Sequence, residues 1–366
     1  MRIIAHVDMD AFFAAVEERY NPRFRGFPIV IGADPKGGQG RGVVATANYA
    51  ARKYGIRSAL PISQAWRLAE AAKLRGEPVA IFLQGNHELY REVSGRIMAI
   101  LREGADEFEE ASIDEAYLEW KFEFQNSNFE TDPWREAEAR ARILKSKILN
   151  LESLTCSVGI GPNKLVAKIA SDFQKPDGLT AVLPQEVEAF LSPLPIRAIP
   201  GIGPKTEALL HQRGIRLISE LQQVARAELV EAFGKWGEDL FRKARGVSDD
   251  PLSDAWEPKS VGEQETFEED RRDAAFILGR LEALAGGVFR RFQQEGFHSF
   301  RTAVVTVRFS DFATVSRART LPHPASSLEA LHGQALRLFL PFLDSRGNPA
   351  RKAIRLIGVR VEKLIR

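Results

Sequence analysis

The fold is decided near the start of the chain, at residues 3–20, where the sequence reads IIAHVDMDAFFAAVEERY. The pattern from Ile3 to Val7 is typical of a buried strand, and the helical pattern from Phe12 to Tyr20 follows it until Pro22 stops the helix. Asp8 and Asp10 stand between these two segments. The pattern therefore predicts a strand that ends in carboxylates and leads directly into a helix.

Length and composition indicate a multidomain globular protein. At 366 residues the chain is too long for one compact core and long enough for two to four domains. Its 44% hydrophobic and 27% charged residues are ordinary for a folded chain. We expect a cytoplasmic protein, because no apolar stretch approaches the roughly eighteen residues of a membrane span and the opening residues lack a signal-peptide core.

Charge is distributed unevenly along the chain. From Ala274 to the end there are 15 Lys/Arg and 6 Asp/Glu, so this segment carries +9 and the remainder −7. A solvated helix face could account for part of the excess. An excess this one-sided favours a polyanionic partner, and nucleic acid is the leading candidate.

The first half of the chain alternates strands and helices around one sheet. Strands are predicted at 28–32, 79–83 and 155–160, a β-hairpin at 108–120, and helices at 49–54, 62–72, 87–102 and 134–149. Residues 36–42, KGGQGRG, predict an exposed hairpin loop that lacks the Walker pattern. This alternation predicts an α/β fold.

The second half changes in texture after Phe173, where short helices alternate with Gly and Pro. The turn Pro200-Gly201-Ile202-Gly203 is typical of a helix-hairpin-helix element. A polar, Pro-containing run at 246–258 predicts an interdomain linker. After it, strands at 261–267, 299–309, 312–321 and 352–364 predict a separate domain of β-α-β-β-α-β order.

Three carboxylates carry the chemistry. Cys156 is the only cysteine and the histidines lack zinc-ligand spacing, so we expect any metal to be held by oxygen. Asp8 at a strand end, facing a hairpin that contains Asp114 and Glu115, suits Mg²⁺ and phosphoryl transfer. The alternatives are that Asp8 or Asp10 caps the next helix and that the pair forms a polar turn. For Asp10 we favour capping or packing.

The chain resembles the Y-family DNA polymerases of the DinB type, bacterial DNA polymerase IV and its archaeal relatives. The resemblance rests on VDMDAFFAAVEE (7–18), VATANYAARKYG (44–55), ASIDEAYL (111–118), SVGIGPNK (157–164), KPDG (175–178), PGIG (200–203), KSVG (259–262) and SRART (316–320). It implies a right-hand polymerase. Its parts are a ferredoxin-like palm (1–11 and 84–172), small fingers (12–83), a helix-hairpin-helix thumb (173–245), a linker (246–258) and a C-terminal α/β little finger (259–366).

The resemblance also implies the roles of the acidic residues. Asp8 and Asp114 would bridge two Mg²⁺ ions, for which Mn²⁺ could substitute, while Glu115 and the Met9 carbonyl complete the ligand set. The primer 3′-oxygen would attack the α-phosphate of a dNTP and release pyrophosphate. No other cofactor is expected.

Further residues match the family's nucleotide pocket. Tyr49, Arg52 and Lys164, with Thr46 as a weaker match, correspond to contacts of the incoming triphosphate. The alternative for Arg52 and Lys164 is a surface salt bridge. Phe13 corresponds to the steric gate that excludes a 2′-OH, although packing beside Phe12 is the alternative. Small fingers residues (Val43, Val44 and Ala45, with Ala59 nearby) would enclose the nascent base pair loosely. Loose enclosure predicts low fidelity, lesion bypass and a role in DNA repair.

Contacts to primer–template DNA are expected from two places. Gly201 and Gly203, assisted by Lys205 and Thr206, would offer backbone N–H groups to a phosphate. Arg317 and Arg319 would lie along duplex backbones without reading sequence.

Other partners are less clearly indicated. Residues 334–339, QALRLF, loosely resemble sliding-clamp peptides, but Leu331, Ala335, Leu338 and Phe342 recur at helical spacing and favour the buried face of a helix. We expect a monomer without membrane association. The rival functions are a catalytically inactive DNA-binding accessory member of the same family and a nucleotidyl cyclase. A cyclase would not need the helix-hairpin-helix element or the basic terminal domain.

Overall fold

A computed structural model describes residues 2–122, 132–253 and 257–366 of the chain. The chain divides into two compact units, Met1–Asp34 with Val43–Ala255, and Pro35–Gly42 with Trp256–Arg366. No helix among the described residues has both the length and the apolar character needed to cross a lipid bilayer.

A five-stranded sheet forms the centre of the first unit. Its strands are β1 (Arg2–Met9), β5 (Glu107–Glu110), β6 (Glu115–Lys121), β7 (Cys156–Gly161) and β8 (Leu179–Ala181), in the order β5-β6-β1-β7-β8. β1 pairs antiparallel with both β6 and β7, and β8 runs parallel to β7. The central position of β1 explains its largely apolar sequence, since Ile3 and Ile4 point to opposite faces and are both fully buried.

Helices cover both faces of this sheet. On one face α1 (Phe12–Tyr20), α4 (His87–Glu103) and α5 (Pro133–Glu152) bury a large apolar core. On the other face α6 (Lys164–Phe173) packs closely because Gly159 of β7 has no Cβ, and a Cβ there would lie 2.1 Å from the Ala167 carbonyl oxygen. The predicted strands and helices are confirmed within a few residues, while α6 and β8 were not predicted.

A small three-stranded sheet follows α1. Its strands are β2 (Ile29–Gly32), β3 (Val44–Ala47) and β4 (Ile81–Leu83), in the order β3-β2-β4, with α2 (Tyr49–Arg52) and α3 (Ile62–Leu74) beside them. β2 and β3 pair antiparallel, which confirms the predicted hairpin. Its loop belongs to the second unit, where Arg41 donates to Asp270 at 2.6 Å and to the Phe267 carbonyl at 3.1 Å. The loop is exposed at Lys36, Gly37, Gln39 and Gly42, as predicted, but Gly40 is buried and Arg41 is half-buried.

Short helices complete the first unit and share one apolar core. They are α7 (Val187–Leu191), α8 (Pro204–Gln212), α9 (Ile218–Gln223), α10 (Arg226–Phe233) and α11 (Lys235–Ala244). The turn before α8 needs glycine, because Gly201 has φ +97° and a Cβ would lie 2.6 Å from the Trp236 ring. This agrees with the predicted Gly- and Pro-punctuated texture.

The second unit contains a four-stranded antiparallel sheet with two helices. Its elements are β9 (Ser260–Arg271), α12 (Ala274–Gln294), β10 (Ser299–Phe309), β11 (Thr314–Ala325), α13 (Leu328–Phe339) and β12 (Ile354–Ile365), with strand order β11-β10-β12-β9. The predicted β-α-β-β-α-β order is confirmed. Of the predicted linker, residues 254–256 lie outside the described residues, and 247–253 form no helix or strand.

Candidate active site at the end of the central strand

Backbone pairing brings the three candidate carboxylates to one end of the large sheet. Asp8 lies opposite Glu115 in the β1–β6 ladder. The Met9 N–H donates to the Asp114 carbonyl oxygen at 3.0 Å, so the turn between β5 and β6 is attached to the end of β1. Residues more than one hundred positions apart in sequence are therefore neighbours, as the sequence analysis expected.

Asp8 is held by an ammonium group. Its side chain is only 13% exposed, and Lys175 Nζ lies 2.7 Å from Oδ2. Burial raises the pKa of Asp8 to about 7, with further contributions from the negative charges of Glu115 and Asp114, while Lys175 opposes the rise. Lys175 also pairs with Asp172 at 2.7 Å. The end of β1 therefore concentrates more negative charge than it neutralises.

Asp114 and Glu115 have different partners. Ser112 Oγ donates to Asp114 Oδ1 at 2.7 Å, and burial raises the pKa of Asp114. Lys168 Nζ donates to Glu115 Oε2 at 2.6 Å. His6 lies behind Glu115, fully buried, and burial lowers the pKa of its imidazole, which keeps the ring neutral. The hairpin thus presents two carboxylates that are fixed separately.

The donor set fits a hard divalent cation, although it is not a ready-made cage. Within 2–122, 132–253 and 257–366, no three His, Cys, Asp or Glu side chains are already arranged around a common metal position. Mg²⁺ does not need such a cage, because it takes one or two carboxylates and fills its remaining positions with water and substrate phosphates. The lysine ammonium groups already placed at Asp8 and Glu115 show that these oxygens attract cations.

Asp10 has a structural role that differs from capping. The N-cap residue of α1 is Ala11, with φ +47° and no side-chain cap, so the capping alternative was wrong for both Asp8 and Asp10. Asp10 is instead buried and accepts from Ser157 Oγ at 2.8 Å and from the Asp177 N–H at 2.8 Å. It joins β1 to β7 and to the turn before β8, which agrees with the packing interpretation.

Phe13 and Phe12 lie in different surroundings. Phe12 is fully buried in the core of the first unit, whereas Phe13 is half-buried. The Phe13 ring stacks on Tyr90, with 4.4 Å between centroids and 12° between planes. Tyr90 is fully buried, and its hydroxyl donates to Glu17 Oε1 at 2.7 Å. Phe13 is therefore supported by the Tyr90 ring and remains partly exposed.

The candidate triphosphate residues are engaged within the protein. The Arg52 guanidinium lies 4.5 Å from the Tyr49 ring centroid and donates to the Ala47 carbonyl at 2.8 Å. Lys164, at the start of α6, contacts both carboxylate oxygens of Glu109 at 2.7 and 2.8 Å. Thr46 is half-buried on β3. The Tyr49 ring and the Arg52 guanidinium thus pack together. Lys164 forms an ion pair with Glu109, which agrees with the salt-bridge alternative for this residue.

Val44, one of the residues expected to enclose the nascent base pair, faces the apolar core. Val44 is 1% exposed and belongs to the apolar core beside β3, so the expectation that it lines the nascent base pair was wrong. Val43 is 51% exposed, and Ala45 shares its face of the strand and is also exposed. Two-residue alternation places Val43 and Ala45 on the open face and Val44 in the core.

The expected DNA contacts occupy two surfaces, one in each unit. Gly203 precedes α8, and Lys205 and Thr206 lie in its first turn. Arg317 and Arg319 are half-buried on one face of the edge strand β11, opposite the core residues Val305 and Ala303 of β10. The Arg317 guanidinium lies 4.7 Å from the Phe342 ring centroid.

Residues 334–339 belong to α13. Leu331, Ala335 and Phe339 are buried, and Leu338 packs partly against the same core. The prediction of a buried helix face is confirmed.

Sequence reasoning missed Lys168 and Lys175 as partners of the carboxylates. Lys175 belongs to the KPDG motif at 175–178, and its place in that motif is the sequence feature that marks it as a candidate. Lys168 gave no signal, because its position depends on how α6 packs against the sheet.

A sheet with acidic residues where β1 meets the β5–β6 turn, a helix-hairpin-helix element and a separate basic α/β domain define the class of palm-domain DNA polymerases. Models of the impB/mucB/samB family match residues 7–172, its C-terminal domain 258–366 and its helix-hairpin-helix motif 184–215. The chain belongs to this family, the Y-family DNA polymerases. Its fold class is theirs, mixed α/β with the helix-hairpin-helix motif and the C-terminal domain.

Individual relatives match along nearly the whole chain. DNA polymerase IV 2 of Methanosarcina mazei is 43% identical over 363 residues, covering 99% of this chain and 92% of that one. DNA polymerase IV of Streptococcus mutans is 39% identical over 363 residues, with the same coverage. Among solved structures, a Y-family DNA polymerase chimera gives a TM-score of 0.82 at 31% identity, and an insertion ternary complex of Dbh DNA polymerase gives 0.63 at 29%, each over 99% of both chains.

Proposed function

We propose that this polymerase extends a DNA primer by two-metal-ion phosphoryl transfer, with Asp8, Asp114 and Glu115 as metal ligands and the Met9 carbonyl as a further ligand. The observation that carries the proposal is the meeting of β1 with the β5–β6 turn. Asp8 faces Glu115 in the ladder, and Met9 binds Asp114 through the backbone. Mg²⁺, or Mn²⁺ in its place, would neutralise charge on the attacking and leaving oxygens.

The surrounding lysines prepare the carboxylates for cations. Lys175 pairs with Asp8 and has a second partner in Asp172, so it can leave Asp8 without losing every ion pair. Lys168 keeps Glu115 in place from the side of α6. The protein therefore offers a half-buried oxygen-rich site whose negative charge is only partly neutralised by lysines.

Nucleotide binding would use residues around the same end of the sheet. The Tyr49–Arg52 pair offers a phenol and a guanidinium to phosphate oxygens, with Thr46 assisting, and Lys164 would exchange Glu109 for the triphosphate. Phe13 would press against the sugar and exclude a 2′-OH, because its ring is supported from behind by Tyr90.

Low fidelity and lesion bypass would follow from a sparse wall around the new base pair. Val43 and Ala45 are small and exposed, so they restrict the shape of the pair weakly. The proposed cellular role is translesion synthesis during DNA repair in the cytoplasm.

DNA would be held through its backbone rather than its bases. Gly201 and Gly203, with Lys205 and Thr206 in the first turn of α8, would bind one phosphate, and Arg317 and Arg319 would bind others. Contacts of this kind predict salt-sensitive and sequence-independent affinity.

The test is extension of a labelled primer on template DNA with Mg²⁺ and four dNTPs, on undamaged and abasic templates, together with a gel-shift assay. The proposal expects metal-dependent extension past the abasic site. DNA binding without extension would instead support an inactive accessory protein. Neither binding nor extension by a folded sample would overturn both functions.

A further inference from the structure

A set of polar groups lies behind Glu115, and its two buried members, His6 and Ser171, have no part in the proposed reaction. His6 on β1 and Ser171 on α6 are 0% and 1% exposed. His6 Nδ1 lies 2.8 Å from Ser171 Oγ, and His6 Nε2 lies 3.4 Å from Lys168 Nζ. Lys168 Nζ in turn lies 2.6 Å from Glu115 Oε2. These contacts connect buried Ser171 and His6, through Lys168, to the Oε2 atom of Glu115.

One assignment of protons satisfies all of these contacts. Ser171 Oγ donates to the Lys168 carbonyl oxygen at 2.8 Å. A neutral His6 ring then donates from Nδ1 to Ser171 Oγ and carries its lone pair on Nε2. That lone pair accepts from the Lys168 ammonium and lies 3.5 Å from Glu115 Oε2. Lys168 thus donates to two acceptors, His6 Nε2 and Glu115 Oε2, that would otherwise face each other.

This arrangement treats the two oxygens of Glu115 differently. Oε2 is occupied by Lys168. In the part of the chain that the structure describes, Oε1 accepts no hydrogen bond from a side chain or backbone group. A cation at this carboxylate would therefore find one oxygen available and the other committed.

We propose that Lys168, anchored by His6 and Ser171, is a positioning residue that restricts Glu115 to one-oxygen ligation and thereby makes the site prefer Mg²⁺ over Ca²⁺. Mg²⁺ binds carboxylates through single oxygens in a strict octahedron. Ca²⁺ takes more oxygen ligands at longer distances and often binds both oxygens of a carboxylate. The inference rests on the proposed function, because it takes Glu115 as a metal ligand.

The test measures metal binding directly. Mn²⁺ binding to the full chain is followed by electron paramagnetic resonance, and Mg²⁺ and Ca²⁺ are titrated as competitors. The quantity compared is the ratio of their competition constants. In Lys168→Met, which keeps the length of the side chain and loses the donor, this ratio shifts towards Ca²⁺ by about tenfold. Lys168→Arg keeps the donor and retains most of the wild-type preference.

Two further variants separate positioning from charge and from folding. Lys147→Met removes a lysine of α5 that pairs with Glu103 of α4, away from the carboxylate site. We expect it to leave the ratio of the Mg²⁺ and Ca²⁺ competition constants unchanged. Ser171→Ala removes the acceptor of the His6 proton while the lysine stays, and it shifts the ratio in the same direction by a smaller factor. If Lys168→Met does not fold, Ser171→Ala decides the question.

The outcomes that overturn the proposal are distinct from failure of the proposed function. A folded Lys168→Met that weakens or strengthens both ions by the same factor shows an electrostatic effect and no positioning. An unchanged ratio in Ser171→Ala contradicts the anchoring step. Mn²⁺ binding that is insensitive to Asp114→Ala in the wild-type background would mean that the metal site itself was assigned wrongly.

Discussion

Tyr90 supports the proposed steric gate, and replacing it should relax the exclusion of ribonucleotides. Its ring stacks on Phe13 at 4.4 Å, and its hydroxyl is fixed by Glu17, whose other oxygen accepts from Asn21 Nδ2 at 3.2 Å. Both Tyr90 and Glu17 are buried. The orientation of Phe13 thus depends on a ring that is itself held by a hydrogen bond.

Two substitutions separate the contribution of the Tyr90 ring to sugar discrimination from that of its hydroxyl. Tyr90→Leu removes the stacked ring, and an aromatic pair contributes about 0.5–1.5 kcal/mol beyond area burial. Since about 1.4 kcal/mol corresponds to a factor of ten, we expect the preference for dCTP over rCTP to fall by roughly 2- to 12-fold. Tyr90→Phe keeps the ring, so the preference should be retained, while the unpaired Glu17 oxygen lowers the free energy of unfolding by about 1.5–3 kcal/mol.

The assay is the ratio of kcat/KM for dCTP and rCTP opposite guanine, measured for the wild type and the two Tyr90 variants, with Phe13→Ala as the reference for complete loss of the gate. Unfolding by urea gives the stability of each variant. An unchanged ratio in Tyr90→Leu would refute the supporting role of Tyr90. An unchanged ratio in Phe13→Ala would refute the steric-gate assignment itself.

Three other predictions concern the packing of α6 on the sheet, a buried ion pair of Glu152, and DNA binding. Gly159→Ala should lower the free energy of unfolding by about 3 kcal/mol or more, because its Cβ would lie 2.1 Å from a backbone oxygen of α6. Gly95→Ala, on an open face of α4, should instead raise the free energy of unfolding by about 0.5–1 kcal/mol. Urea unfolding of both variants measures these changes, and equal midpoints would contradict the prediction. Glu152→Gln should cost about 2 kcal/mol in the same assay, since the buried carboxylate accepts from Arg96 Nε at 2.8 Å and also binds Arg19; a cost near zero would contradict this. Arg319→Gln should reduce the slope of log affinity against log salt for duplex DNA by about 0.9 on every sequence, and an equal reduction by Arg290→Gln on α12 would show that the effect is not local.

The parts of the fold that the sequence predicted are those governed by local patterns. The apolar run of β1 and the helical spacing of α1 and α13 follow from which residues must be buried. The order of elements in the second unit follows from the same rule. The placement of Asp8 near Asp114 and Glu115, by contrast, came from the resemblance to the family and from the chemistry of carboxylates, since no local pattern specifies which strands pair.

The parts that the sequence did not predict depend on distant contacts. The face of Val44 is set by pairing with β2, which has an irregular register at Ile31 and Gly32, and a shift of one residue exchanges the two faces of a strand. Asp10 stands next to a helix start, yet its partners Ser157 and Asp177 come from other elements. Lys168 reaches Glu115 only because α6 packs on β1 and β7.

The most direct test of the carboxylate site is the single-turnover rate of incorporation of one dNTP as a function of Mg²⁺ concentration, in wild type, Asp114→Asn and Glu110→Gln. Glu110 ends β5 in the same hairpin and is exposed, so its variant removes one carboxylate charge without touching the proposed site. The account predicts that Asp114→Asn loses at least about three orders of magnitude in rate, while Glu110→Gln stays near wild type. Wild-type rate and Mg²⁺ dependence in Asp114→Asn would contradict it.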